Sequence, residues 1–284
     1  EDLSKIKYLD ADVEFAESIR YAKEQGTEVV LASTITTDLN RTPSRFKVDP
    51  HPSITSSKKI PYTALVDILP DADGISRLYP IFHKVDISDA NYYYTLAVSS
   101  VLRYLDINDD PKPKIDINNY KMNVGPLDIP VYGKQQYFLV NFYGPSSNSF
   151  KTFKTYPLLN ILDTHDYLIG KLDSAYCMDD WDEVALEYDT KEACESQEDY
   201  YWTTEYDSNW MDQYINPEHP LYFRFKDNNP FKGKIVYVGT SLAEDQDFKD
   251  TPFLNYQGGN FPMPGVEFHV NATQQIIDQN YIKY

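Results

Sequence analysis

Lys234-Ile235-Val236-Tyr237-Val238-Gly239-Thr240-Ser241 decides how the chain is read. Four apolar residues in a row, closed by a glycine, predict a short buried strand running into a Gly turn. An acidic loop follows: Glu244-Asp245-Gln246-Asp247-Phe248-Lys249-Asp250-Thr251-Pro252. After a Gly/Pro-rich bridge, Met263-Pro264-Gly265-Val266-Glu267-Phe268-His269-Val270-Asn271-Ala272 opens the last helix. A strand, a polar turn and a returning helix make half of an α/β unit. Ligands of open α/β sheets sit where such strands end.

Working outward, Val13, Phe15, Ala16, Ile19 and Ala22 fall at helical spacing, with Asp12 as N-cap and Gly26 just past the end. Val29-Val30-Leu31-Ala32 then reads as a buried strand. Residues 34–59 are polar and proline-bearing and read as a loop. Leu69-Pro70-Asp71-Ala72-Asp73-Gly74 is a turn cluster, with a strand expected over 75–85. Val98, Val101, Leu102 and Leu105 mark a helix over 94–105. Residues 106–130 read as irregular and 137–143 as a strand.

Between residues 173 and 212 there are 14 Asp/Glu and one basic residue, Lys191, so most of the chain's charge of −18 is concentrated there. Trp181, Trp202 and Trp210 lie in the same stretch, as do Cys177 and Cys194. It reads as an insertion over 173–215 in a single domain spanning 1–284. The fold class is therefore α/β: a mainly parallel or mixed central sheet flanked by helices, with an acidic, aromatic-rich insertion.

Such a net charge disfavours nucleic acid and anionic lipid surfaces, which would repel it. No run reaches the roughly 18 apolar residues of a membrane span, and Glu1-Asp2 opens no signal peptide. Paired, Cys177 and Cys194 would close a loop worth about 3 kcal/mol in the chain-entropy model and imply an oxidising compartment. Unpaired, they are two ordinary thiols.

Asp71-Ala72-Asp73-Gly74-Ile75-Ser76-Arg77, then 234–241, then Asp247 with Asp250-Thr251-Pro252, then 263–272, occur in the order of a CHASE type-2 domain, which the chain resembles. The 12–33 segment also resembles that family. The family's opening strand and helix have no counterpart, so the chain reads as beginning inside the domain or as a diverged member. The resemblance implies an extracytoplasmic sensory module of a bacterial signalling protein, not an enzyme. It also implies anchoring in the cytoplasmic membrane by segments flanking this chain. The partners expected are a small ligand or a protein, with a second copy of the chain as a further partner, and no cofactor. An alternative is a periplasmic binding or scaffold module using the aromatic insertion. An extracytoplasmic enzyme working through the acidic loop is a third reading.

Asp245, Asp247 and Asp250, with Thr240 and His269, form the candidate ligand site, suited to a cation or an amine. The other reading makes the acids caps of backbone amides. His269 falls on a stripe with Val266, Val270 and Ile277 and is expected to point inward, within reach of an aspartate of the loop. Asp71 and Asp73 are candidate metal ligands, carboxylates two apart being able to share one ion. Position 82, where an EF-hand needs Glu, is Phe, and Arg77 can close on Asp73 instead. Asn40-Arg41-Thr42 and Asn271-Ala272-Thr273 match the glycosylation pattern by chance.

Overall fold

In a computed structural model of the chain, the described residues are 10–38, 44–50, 54, 62–84, 92–132, 136–156, 158, 176–179, 190–197, 200–203, 231–242, 244 and 247–282. Two compact units emerge. One comprises Glu1–Phe153 with Ile235–Tyr284, the other Lys154–Lys234.

The larger unit opens with α1 (Asp10–Glu24). Its end is set by Gly26 at φ +83°. Thr27 N–H donates to the Ala22 carbonyl and Gly26 N–H to that of Lys23, a Schellman motif that satisfies two orphan carbonyls. The expected apolar stripe is not the buried one. Among the described side chains of α1, Ile19 alone is buried, while Val13 and Phe15 are 44% and 48% exposed.

Next, β1 (Val30–Asp38) pairs antiparallel with β2 (Ser44–Val48) and parallel with β3 (Tyr62–Leu65). Residues 34–38 and 44–48, expected as loop, are therefore strand. The alternation Ile35-Thr36-Thr37 carries the β-branched residues that favour a pleated chain. The strand expected over 75–85 is split into β4 (Leu78–Pro80) and β5 (Phe82–His83). β6 (Tyr93–Tyr94) pairs with β5 and runs into α2 (Leu96–Tyr104). Ala97, Val98, Val101 and Leu102 of α2 are at most 1% exposed, but Leu105 lies beyond the helix and is 44% exposed.

The expectation of irregular chain over 106–130 is wrong. β7 (Lys114–Asp116), β8 (Lys121–Val124) and β9 (Leu127–Pro130) form an antiparallel meander. Met122, Val124, Leu127 and Ile129 alternate inward, all at most 9% exposed. Gly125 at φ +57° leads the two-residue Gly125-Pro126 turn between β8 and β9, where a left-handed first residue matches the strand twist.

β10 (Tyr137–Leu139) pairs with β4, and α3 (Ser147–Phe150) follows one turn later. In the smaller unit, β11 (Tyr176–Asp179) pairs with β12 (Tyr200–Thr203), and α4 (Lys191–Glu195) lies between them in sequence. Cys177 on β11 is joined to Cys194 on α4 by a disulfide spanning 17 residues. Both sulfurs are enclosed, with half-buried Tyr200 and Trp202 against them. Trp181 and Trp210 lie outside the described residues. Back in the larger unit, β13 (Phe248–Lys249) pairs with β14 (Met263–Pro264), which leads into α5 (Gly265–Asp278).

The architecture is α/β with several small sheets among the described residues. In the larger unit one apolar core draws on β4, β5, β6, β8, β9, β10, β14, α2 and α5. Tyr79 of β4, Phe138 of β10, Val98 and Leu102 of α2, Ile129 of β9, and Met263 with Phe268 at the start of α5 are all at most 1% exposed. Burying an aromatic of this size contributes about 3 kcal/mol over leaving it in water.

Candidate functional site

The opening stretch is not the buried strand its composition suggests. Among the described residues, 235–242 join no strand pair. Ile235 and Tyr237 are half-buried, whereas Val236 is 51% and Val238 80% exposed. Ile235 packs against the core. Gly239 permits a close approach, because a Cβ there would meet the Val266 side chain at 2.7 Å.

α5 is where the expected motifs converge, and three rows of side chains leave it. Phe268, Ala272 and Ile276, four apart, form the apolar row and are at most 2% exposed. They replace the stripe of Val266, Val270 and Ile277; Ile277 is 39% exposed.

The second row is His269 and Thr273. His269 Nδ1 lies 2.6 Å from Tyr79 Oη, and that hydroxyl accepts from Ala97 N–H at 3.1 Å. The Tyr79 hydroxyl thus ties His269 of α5 to the first turn of α2. Burial pushes His269 down to about 4, opposed by the charge of Asp247 and helped by that of Lys249. Burial likewise pushes Tyr79 far upward. One residue along the row, Thr273 Oγ1 meets Tyr237 Oη at 2.5 Å. The expected aspartate partner of His269 is therefore replaced by a tyrosine from β4.

The third row is Glu267, Asn271 and Gln275, at most 7% exposed. Glu267 accepts from Ser147 N–H at 2.9 and 3.0 Å, from Ser147 Oγ at 2.7 Å and from Ser146 Oγ at 3.5 Å. Its place in the first turn of α5 also sets its charge against the positive end of the helix. Asn271 accepts from Tyr143 N–H at 3.0 Å and donates to the Glu267 carbonyl at 3.0 Å. Gln275 accepts from Asn141 N–H and donates to the Leu139 carbonyl, both at 2.9 Å. Four residues of helix rise about 6.0 Å, and two residues of strand about 6.6 Å. The near match lets α5 serve as the missing neighbour of residues 139–147. Asn271 is fully enclosed and bonded to Tyr143, Glu267 and Met263, so its glycosylation pattern has no accessible acceptor.

The start of α5 is bound to the acidic loop. Gly265 N–H donates to the Asp247 carbonyl at 2.8 Å, and the Asp247 carboxylate lies over the Gly265 Cα, where a Cβ would collide with it. Lys249 Nζ is 3.0 Å from that carboxylate. Asp250 is exposed, and its carbonyl accepts from Ser76 N–H at 2.6 Å. The 71–77 and 247–252 motifs thus meet through backbone. Thr240 Oγ1 accepts from Leu242 N–H at 3.2 Å. Asp245 lies outside the described residues.

Asp71 and Asp73 face Arg77, not each other. Arg77 donates to Asp71 at 2.9 Å and to both Asp73 oxygens at 3.0 and 2.8 Å. These bonds, with one from Ile75 N–H, hold Asp73 down to about 2 and raise Arg77 in turn. Gly74 at φ +83° closes the turn. Among the described residues no group of three or more His, Cys, Asp or Glu is placed to hold a metal ion.

What the arrangement does chemically is to tie. The Tyr79–His269 pair has the parts of an acid–base relay but no opening, since the two residues are 0% and 5% exposed. The polar row was within reach of the sequence, because Glu267, Asn271 and Gln275 recur every four residues. Their backbone partners were not.

A family model described as CHASE2 domain matches residues 2–283. No curated protein matches the chain, and no solved structure does.

Proposed function

The chain belongs to the CHASE2 domain family, a family of extracellular sensory domains, and from that premise we propose that it is the extracytoplasmic input module of a bacterial membrane signalling protein. It binds a small ligand or a protein at the corner where the 71–77 turn meets the 247–252 loop. Segments flanking this chain anchor it in the cytoplasmic membrane. The family's sensory role favours binding over catalysis.

The observation that supports this reading most is the wiring of α5. Its first residue is bonded to the acidic loop, and its body is bonded to residues 139–147 and to Tyr79 of β4, whose hydroxyl also takes the Ala97 N–H of α2. A ligand that prefers one setting of the loop biases the whole helix. Asp247, Asp250 and Thr240 lie on that loop side. His269 acts from within, holding the helix to Tyr79. The Cys177–Cys194 disulfide suits an oxidising compartment.

The test is the gene sequence on both sides of this chain. Apolar spans of about 20 residues and a cytoplasmic output domain are expected. A secretory signal alone, with no span and no output domain, would overturn the reading in favour of a free periplasmic binding module.

A further inference from the structure

Burial is divided unevenly between the two units. The larger unit has the core that runs through Tyr79, Phe138 and Phe268. In the smaller unit, the buried apolar side chains among the described residues are Cys177 and Cys194 themselves, 1% and 0% exposed. Half-buried Tyr200 and Trp202 pack against them. The disulfide there is the centre of the packing, not a staple laid over a core made by other side chains. What it joins is weak alone. β11 and β12 share a ladder of four residue pairs, and a two-stranded sheet is marginal in water. α4 has five residues, far short of the length at which a helix holds itself. The bond ties α4 to β11 across 17 residues and so removes freedom from the open chain. Charge acts the other way. Between residues 173 and 212 there are 14 Asp/Glu and one basic residue, and this self-repulsion opposes a compact form.

We propose that the Cys177–Cys194 bond is a redox latch for the smaller unit alone. Oxidised, it holds β11, α4 and β12 together. Reduced, it lets that unit open while the larger unit stays folded. The reductant is a dithiol: it gives two electrons and two protons to the S–S bond, which becomes two thiols, and itself closes to a disulfide. Both sulfurs are enclosed, so the attack passes through brief local openings of the smaller unit. Once the bond is broken, charge repulsion keeps the unit open until it is oxidised again. The thiol–disulfide state of the surroundings thus selects between two forms of one chain. The latch does not use the sensory reading, so either can fail alone.

The chain carries its own probe. Trp181, Trp202 and Trp210 are its three tryptophans, and all fall in the smaller unit, so tryptophan emission reads that unit selectively. Hydrogen exchange followed by mass spectrometry reads both units, through β11 and β12 in one and α2 and α5 in the other. The 284-residue chain is measured before and after dithiothreitol, with the mass gain of two hydrogens as proof of reduction. The Cys177→Ser/Cys194→Ser variant is measured beside it. Reduction should shift the emission to the red and quicken exchange in β11 and β12 by about tenfold or more. Exchange in α2 and α5 should not change, reoxidation should restore the first state, and the variant should match the reduced chain. Reduction of the folded wild type does not depend on the variant folding. A reduced chain whose β11 and β12 stay protected overturns the proposal. So does loss of protection in α2 and α5 alongside them, or a bond that dithiothreitol does not open under native conditions.

Discussion

α1 and α5 are nearly equal in length, 15 and 14 residues, and both mix apolar with polar positions. Yet Ile19 is the one described side chain of α1 that is buried, while nine residues of α5 are, Glu267, Asn271 and Gln275 among them. The difference does not lie in apolar content. α1 offers Val13, Phe15 and Tyr21 to solvent, at 44%, 48% and 65%, whereas α5 buries amides and a carboxylate because each meets a backbone partner. A helix is buried by what faces it, and polarity is no bar when every donor and acceptor is matched.

Mutations at equivalent depth should break this contrast. The largest effect is expected from Phe268→Ala, which removes a fully enclosed ring and should cost about 3–5 kcal/mol. Thermal or urea unfolding measures it. Phe15→Ala, read the same way, should stay within about 0.5 kcal/mol.

The next effect is with pH. Burial holds His269 at about 4 in the folded chain, against 6.5 for the free side chain. The stability of the neutral ring is complete above pH 6.5 and is lost as pH falls toward 4, because the unfolded chain takes up the proton first. The loss approaches about 3 kcal/mol at 1.36 kcal/mol per unit. Urea midpoints at pH 7 and pH 4.5 should converge by that margin in His269→Gln relative to wild type. An unchanged pH slope in the variant would remove His269 from this role.

Gln275→Ala should cost about 1 kcal/mol, since it leaves the half-buried Asn141 N–H and Leu139 carbonyl without this partner. Gln275→Glu keeps the acceptor and loses one donor, so amide exchange at Asn141 should stay slow in Glu and quicken in Ala. The smallest effect is expected at Asp73→Asn. The Arg77 pair is exposed, so the melting temperature should fall slightly at low salt and the difference should vanish at high salt.

Much of the fold was legible where one residue type carries a local rule. Gly26 ended α1, Gly74 closed the Asp71–Arg77 turn, and Val98-Val101-Leu102 marked α2. The meander at 114–130 was missed although Met122/Val124 and Leu127/Ile129 alternate around Gly125-Pro126. Its strands are three and four residues long, too short for periodicity to stand out from loop. Residues 235–239 misled in the opposite sense, because a run of apolar residues can also leave alternate side chains such as Val236 and Val238 in solvent. At the candidate site His269 does point inward, although the stripe of Val266, Val270 and Ile277 from which that was read is not the buried one. Tyr79 as its partner was not legible, since 190 residues separate them.

The third row of α5 has a consequence for how this helix can move. Its rungs differ: a carboxylate that only accepts at Ser147, a short amide at Tyr143, and a longer amide spanning Asn141 and Leu139. Slide the helix by one turn and Asn271 arrives where Gln275 was needed, one methylene short. Glu267 arrives where an amide belonged. The rungs differ in shape, so they fit in a single register, and α5 and residues 139–147 are keyed to one another.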